Sequence, residues 1–409
     1  MKVVIAIDSF KGSLSSMEAG LAAREGVLKT HPDAEVIVKP LADGGEGTTV
    51  SLIEGLGGTR INLTVTGPMG QPVDCFYGIL PESHTAIMEM ASAAGITLVP
   101  PEQRNPLLAT TFGVGEMILH AIENGCRNFI IGIGGSATND SGIGMLKALG
   151  FEFLDQNGND VGEGAQALSK IALINADNVN SNIYNCNFKI ACDVTNPLCG
   201  ENGATYIYGP QKGITEDQKE KVDQAMAHFA QVTTQYLRKR LESDCTNVIT
   251  DCVDVVTDYA NFPGAGAAGG LGFAFLSYLN AALTPGVALI LDAINLENNL
   301  KDADIVITGE GQLDGQTAMG KAPVGVARLA KKVSDERCAK HGSTRTNDTA
   351  IQVLAFAGAV TPEAIACNAA GIDAFFPIVR GITTLEQAMN PENASANLTA
   401  AVEQVFRLL

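Results

Sequence analysis

The stretch DIVITGEGQLDGQTAMGKAPVG, residues 304–325, decides how the chain is read. Its apolar start, Ile305 to Thr308 behind Asp304, predicts a buried strand. The strand is expected to empty into a loop of glycines, carboxylates and amides. Lys321, Pro323 and a helical pattern follow. Proline at a first helical position, after small residues, marks a helix start. Strand, glycine-rich loop and helix start together form a seat for an anion. Gly315 to Lys321 even fits G-x-x-x-x-G-K, yet Ala322 stands where a P-loop carries Ser or Thr for magnesium. The stretch is therefore no standard P-loop, and phosphate chemistry is the leading expectation.

The same rhythm opens the chain. Val3 to Ile7 reads as a strand, and Ser16 to Lys29 as a helix with Ser15 and Glu18 spaced as a capping box. Glu35 to Leu41 and Thr48 to Leu56 repeat the strand–helix pair, which predicts a parallel sheet. Beyond the quoted stretch, strands are expected at Ile351 to Phe356 and Ala374 to Ile378. Helices are expected at Val324 to Val333, Pro362 to Ala370 and Asn393 to Leu408. Five strands from the two ends of the chain then complete one doubly wound sheet.

The middle reads differently. Arg60 to Leu80 alternates around Gly67-Pro68-Met69-Gly70, an antiparallel hairpin. A helix from Phe112 to Asn124 leads into a buried strand, Phe129 to Ile133, and Thr215 to Leu241 is a long amphipathic helix. The expected architecture is α/β in two domains. One is discontinuous, residues 1–58 and 292–409; the other, 59–291, is inserted and carries a mixed sheet. Ser334 to Thr349 is expected to be a polar surface excursion.

The 409 residues are 46% hydrophobic and 18% charged, which favours large cores over disorder. A net charge of −18 excludes broad phosphate-backbone contacts, so no nucleic acid is expected as partner. It also argues against an anionic membrane surface, and no apolar stretch approaches spanning length. A small anionic substrate survives this test, because a few local cations overcome a distant negative field. Nine cysteines without a C-x-x-C pair suggest reduced thiols and a cytoplasmic setting. Met1 to Ile7 is too short for a signal peptide and meets Asp8 at once.

Candidate chemistry sits where predicted strands end, because open α/β sheets bind ligands outside the carboxyl ends of their strands. Asp8-Ser9-Phe10-Lys11-Gly12-Ser13 follows the first strand. Asp8 suits a metal or a hydroxyl, and Lys11 a phosphate or carboxylate. Asp43-Gly44-Gly45-Glu46-Gly47 follows the second. Its glycines let backbone approach a ligand, and Asp43 and Glu46 suit magnesium or a substrate hydroxyl. Gly134-Gly135-Ser136-Ala137-Thr138-Asn139-Asp140 follows the strongest strand of the middle. Gly132 to Ala137 approximates G-x-G-x-x-A, with Asp155 near the place of a ribose acid, which points to a dinucleotide. Thr138, Asn139 and Asp140 interrupt that reading, and small residues with hydroxyls and amides suit phosphate or a small acid better. Gly264 to Gly269 matches G-x-G-x-x-G but lacks a preceding strand. Asp193 and Asn196 end another apolar run. Glu310, Asp314, Gln316, Thr317 and Lys321 close the set. The five histidines stand apart from every glycine cluster, and no H-E-x-x-H, G-x-S-x-G or H-R-D set occurs. Carboxylates and amides at strand ends fit proton removal from a hydroxyl with magnesium-assisted phosphoryl transfer.

IDSFKGSLS, PLADGGEG, IGGSATND, CDVTNPL, GAAGGLG and TGEGQLDGQT with GKAPVGVA together resemble the glycerate kinase family, in the order the family shows them. Ser141 departs from the glycine usual after GGSATND. The resemblance implies two α/β domains, one flavodoxin-like, with the active site in the cleft between them. It implies ATP- and Mg2+-dependent phosphorylation of D-glycerate, favouring the 2-hydroxyl, with D-glycerate and ATP as partners and room for a homodimer. Asp193, Asp8 and Lys11 become catalytic candidates. Ser9, Ser13, Gly44, Gly45, Gly134, Gly135, Ser136, Thr138, Asn139, Asp140, Asn196, Gly269, Gln316, Thr317 and Lys321 become binding candidates. Asp43, Glu46, Glu310 and Asp314 become metal candidates. A nicotinamide-dependent oxidoreductase of a small hydroxy acid, or a non-catalytic sugar-acid sensor, are the competing readings.

Overall fold

The structure is a computed structural model that describes residues 1–45, 47–244, 258–341 and 350–409. Its strands are β1 (Lys2–Ile7), β2 (Glu35–Pro40), β3 (Thr59–Thr66), β4 (Pro72–Leu80), β5 (Thr85–Glu89), β6 (Asn128–Gly132), β7 (Glu152–Leu154), β8 (Leu173–Asn175), β9 (Asn187–Ala191), β10 (Ala282–Thr284), β11 (Ile305–Leu313), β12 (Gln352–Val360) and β13 (Ala374–Pro377). The chain divides into two compact units, Met1–Gly58 with Val287–Leu409, and Thr59–Gly286.

The first unit holds a parallel sheet in the order β13-β12-β11-β1-β2. The cause is legible in β1, where Val3 to Ile7 is apolar throughout and fully buried, as a strand covered on both faces must be. Val3, Ile5 and Ile7 share a core with Ala19, Ala23 and Val27 of the helix Ser16–Thr30, and with Leu398, Val402 and Phe406 of the helix Pro391–Phe406. Gly26 lets these two helices touch: a Cβ there would lie 2.5 Å from the Thr399 carbonyl oxygen. The helix Ser16–Thr30 starts on the expected Ser15/Glu18 capping box. The winding reverses between β1 and β11, so a crevice opens at the carboxyl ends of those two strands.

Two expectations for this unit need correction. The quoted stretch does not become a loop at Gly309; β11 continues to Leu313. Glycine is what permits the extension, since a Cβ on Gly309 would stand 2.0 Å from the Phe356 carbonyl oxygen of β12. Nor is there a surface excursion at Ser334. The helix beginning at Ala322 runs to His341, and Ser334 is buried, its Oγ accepting from the Ile351 N–H at 2.9 Å. Residues 342–349 of that expected excursion lie outside the described residues.

The second unit has a mixed sheet, β10-β9-β6-β5-β4-β3. β10, β9, β6 and β5 run parallel, while β5/β4 and β4/β3 are antiparallel, the latter being the hairpin around Gly67 to Gly70. Phe129 on β6 and Phe188 on β9 stack at 4.8 Å between ring centroids and anchor the core. The small pair β7-β8 stands apart from this sheet. No helix among the described residues is long and apolar enough to cross a membrane.

Candidate functional site

The reversal in the first unit carries a pocket of about 760 Å³, lined by Asp8, Lys11, Asp43, Glu310, Asp314 and Lys321 with Ser9 and Ser13. Each side chain arrives by a local cause. Asp8 is the first residue past β1, held by an N–H of Ser9 that donates to its Oδ1 at 2.6 Å. Burial pushes its carboxyl up to about 7, the Asp43 charge adds to the rise, and the Ser9 N–H opposes it. Asp43 lies in the loop after β2 and takes the Gly45 N–H on Oδ1 at 2.8 Å. Gly44 keeps φ at +89°, a conformation that glycine adopts without penalty. Glu46 lies outside the described residues.

Glu310 projects from the extended part of β11. Burial raises its carboxyl, while the Thr317 hydroxyl, donating at 2.6 Å, pulls the other way. Asp314 caps the helix Gly315–Ala318, accepting from the N–H groups of Gln316 (2.8 Å) and Thr317 (3.1 Å). Burial alone would raise Asp314, but those N–H groups and the Lys321 charge hold it below the usual range. Lys321 Nζ stands 4.0 Å from Asp314 Oδ1. Gln316 serves the cap through its backbone; Thr317 serves it through its N–H and through its hydroxyl oxygen, which accepts from the Asp314 N–H at 3.1 Å, and the same hydroxyl fixes Glu310. The Ser13 hydroxyl oxygen is buried with no hydrogen-bond partner among the described residues.

Several carboxylates, two lysines and one crevice define an oxygen-rich site suited to a hard divalent cation. Among the described residues no three His, Cys, Asp or Glu side chains already form a metal cage.

In the second unit the glycine-rich loop leaves the carboxyl end of β6. Gly134 and Gly135 are exposed; a Cβ on Gly134 would meet open space, and Gly135 has φ +73°. From Ser136 the loop turns inward, and Thr138, Asn139 and Asp140 are fully buried. Asp140 accepts from Thr111 N–H (2.8 Å), Thr111 Oγ1 (2.8 Å), Gly142 N–H (3.1 Å) and Gly144 N–H (3.3 Å). It ties the starts of two helices together. Asn139 donates to Thr205 Oγ1 at 3.0 Å. Gly269, with φ +68°, is a packing residue whose added Cβ would lie 2.1 Å from the Thr138 carbonyl oxygen. A short 3-10 turn, Tyr259–Asn261, stands before the Gly264-to-Gly269 run where a dinucleotide fold needs a strand. Asp193 takes the Gly286 N–H at 2.9 Å. Asn196 donates to Asn202 O (2.8 Å) and accepts from Tyr208 OH (2.7 Å), so both ends of its amide brace the loop.

Two features escaped the sequence. The apolar wall of the first pocket comes from Val379, Leu385, Ala388 and Met389, which carry no motif. Thr384 and Gln387 close a capping box there, the one local signal that marked it. In the second unit, Lys212 is 2% exposed at the end of the helix Ala204–Lys212 and binds the glycine-rich loop from within.

The fold and the clustered charges belong to a phosphotransferase, one that moves phosphate onto an alcohol group. The chain belongs to the glycerate kinase family, whose profile matches residues 3–409. It is 43% identical over 388 residues to a glycerate kinase of Bacillus subtilis (strain 168), covering 95% of this chain and 93% of the relative. It is 41% identical over 407 residues to a glycerate 2-kinase of Escherichia coli (strain K12), covering 98% of each. A crystal structure from Salmonella typhimurium LT2, described there as a candidate glycerate kinase 2, superposes with a TM-score of 0.83 at 39% identity, covering 100% of this chain and 98% of that one.

Proposed function

We propose that the chain transfers the γ-phosphoryl group of MgATP to the 2-hydroxyl of D-glycerate, giving 2-phosphoglycerate and ADP. The observation that carries this reading is the single pocket of Asp8, Asp43, Glu310, Asp314, Lys11 and Lys321. Phosphoryl transfer asks chiefly for positioning and for charge of both signs around the phosphates, and this pocket offers both. Support also comes from the relatives, which carry the names glycerate kinase and, in Escherichia coli, glycerate 2-kinase.

Roles follow from the chemistry of each group. Lys11 and Lys321 offset phosphate charge. Asp43, Glu310 and Asp314 are the residues to hold the cation, which would supply charge neutralisation at the phosphate oxygens. Asp8 takes the proton of the attacking hydroxyl as its oxygen bonds to the γ-phosphorus and the bond to ADP breaks. A carboxyl near 7 is matched to that task at neutral pH. Asp193 was an equal contender for base, but it anchors the Gly286 N–H, so Asp8 is preferred.

A coupled assay with D-glycerate and MgATP, followed by phosphorus NMR of the product, tests the reading. The expected outcome is ADP release that depends on both glycerate and Mg2+, with a 2-phosphoglycerate resonance. A 3-phosphoglycerate resonance overturns the regiochemistry alone. No glycerate-dependent ADP release overturns the whole.

A further inference from the structure

Lys212 is a charged side chain that is 2% exposed. It ends the helix Ala204–Lys212, and Gly213, at φ +105°, turns the chain away behind it. Its Nζ donates to Ser136 Oγ at 2.7 Å and to the Thr138 carbonyl oxygen at 2.7 Å. Among the described residues no carboxylate forms an ion pair with it. The nearest charge felt is Asp140, whose oxygens are already engaged by Thr111, Gly142 and Gly144. Arg104, the other cation at this helix end, spends an N–H on the Gln211 carbonyl at 3.2 Å. Burying an ammonium without a paired carboxylate is costly, and burial draws Lys212 down to about 7. A packing role does not require that cost.

The geometry of the contact gives the charge a use. In its protonated form the amine has donors only, so Ser136 Oγ then accepts from it. The serine's own hydrogen is thereby freed to point elsewhere and is polarised by the cation behind it. Ser136 follows the exposed pair Gly134 and Gly135, where a ligand has backbone-level access. Close by, Thr138 Oγ1 and Asn139 Oδ1 are buried with no hydrogen-bond partner among the described residues.

We propose that Lys212 is a positioning residue that turns the Ser136 hydroxyl into a fixed, charge-assisted donor for an anionic oxygen bound at the Gly134–Ser136 loop. The inference deepens the kinase reading and rests on it for the anion's source, a carboxylate of the acid or a phosphate of the nucleotide. Removing either partner takes away the same hydrogen bond, so their effects should not add.

The test is a double-mutant cycle of Ser136→Ala and Lys212→Met, read as KM for D-glycerate and for ATP with kcat alongside. Each single variant is expected to raise one of the two KM values about tenfold or more, as loss of a charge-assisted donor does, with a smaller change in kcat. Lys212→Met in the Ser136→Ala background should add less than about twofold. A rise confined to glycerate names the carboxylate, and one confined to ATP names the phosphate. Equal factors for Lys212→Met in both backgrounds overturn the inference, as do unchanged KM values in a folded Ser136→Ala enzyme. Should Lys212→Met fail to fold, Ser136→Ala alone still decides. Thermal stabilisation of wild type by D-glycerate or by inorganic phosphate, lost in Ser136→Ala, supports the anion site without any turnover. Wild type that turns over normally beside a normal Ser136→Ala sinks this inference and leaves the kinase reading standing.

Discussion

Asp8 of the first unit and Asp140 of the second are both buried aspartates in loops that leave parallel strands, and burial pushes both carboxyls upward. Their surroundings are opposite. Asp140 is met by four donors within its own unit and has nothing left to offer a ligand. Asp8 is met by one N–H and by the repulsion of Asp43 and Glu310. The first is a structural clasp. The second is an under-satisfied carboxyl lining a pocket, and perturbed carboxylates in a crevice are where chemistry collects. One sequence pattern, an acid in the loop after a strand, thus serves two ends, and the count of local N–H donors separates them.

The contrast predicts opposite losses. Asp8→Asn should cut kcat by about 10³-fold or more, roughly 4 kcal/mol of barrier, as removal of a general base does. The folded protein should lose no stability, because a repelled charge has gone. Steady-state kinetics with a thermal melt checks both halves. An Asp8→Asn enzyme that keeps full kcat would remove Asp8 from the reaction and leave Asp193 as the base to test.

Asp140→Asn should do the reverse. Its amide would turn N–H groups toward the donors of Thr111 and Gly144, so roughly 2–4 kcal/mol of stability is lost. The melting temperature should fall by about 5–10 °C for a unit of this size. Residual folded enzyme should retain most of its kcat per active site. If activity vanishes while the melt is unchanged, Asp140 touches substrate and the contrast between the two aspartates is broken.

Thr317→Val probes a smaller effect within the first pocket. It strips the hydroxyl that donates to Glu310 at 2.6 Å and that accepts from the Asp314 N–H at 3.1 Å, while the N–H groups of Gln316 and Thr317 stay on Asp314. About a tenfold loss of kcat/KM is expected, most of it recovered by raising Mg2+, if Glu310 needs that bond to hold its aim. A loss that Mg2+ does not restore, in a protein whose melt is unchanged, would place Thr317 against the substrate instead.

Local signals in the sequence reached as far as their physics is local. The unbroken apolar run of β1, the Ser15/Glu18 cap and the Gly67-to-Gly70 turn each depend on neighbours a few residues away, and each stands where the pattern put it. The loop expected at Gly309 failed because the reason for that glycine, the carbonyl of Phe356, lies on another strand. The helix beyond Ser334 was missed because its polar sequence hides one buried serine serving Ile351. Lys212 could not be found at all. It reads as an ordinary basic residue near a helix end, and its partners Ser136 and Thr138 are 76 and 74 positions away. Asp8 and Asp140 looked alike for the same reason.

The mildest prediction takes the comparison from carboxylates to that lysine. Its ordinary value is 10.5 and its folded value about 7. Below pH 7 both folded and unfolded chains hold the proton, and the burial cost is fully present. Between pH 7 and about 10 the folded chain releases the proton while the unfolded chain keeps it, so the unfolded state binds more protons and stability rises with pH. The melting temperature of wild type relative to Lys212→Met should therefore climb between pH 7 and 9, by about 2–4 °C per pH unit at most. Saturating the loop's anion should flatten that climb, because a bound negative charge restores the ammonium and removes the difference between the two states. A pH-independent gap would mean that Lys212 keeps its proton in the folded protein and that the nearby Asp140 charge compensates for burial, which would make the second unit's clasp an electrostatic partner rather than a bystander.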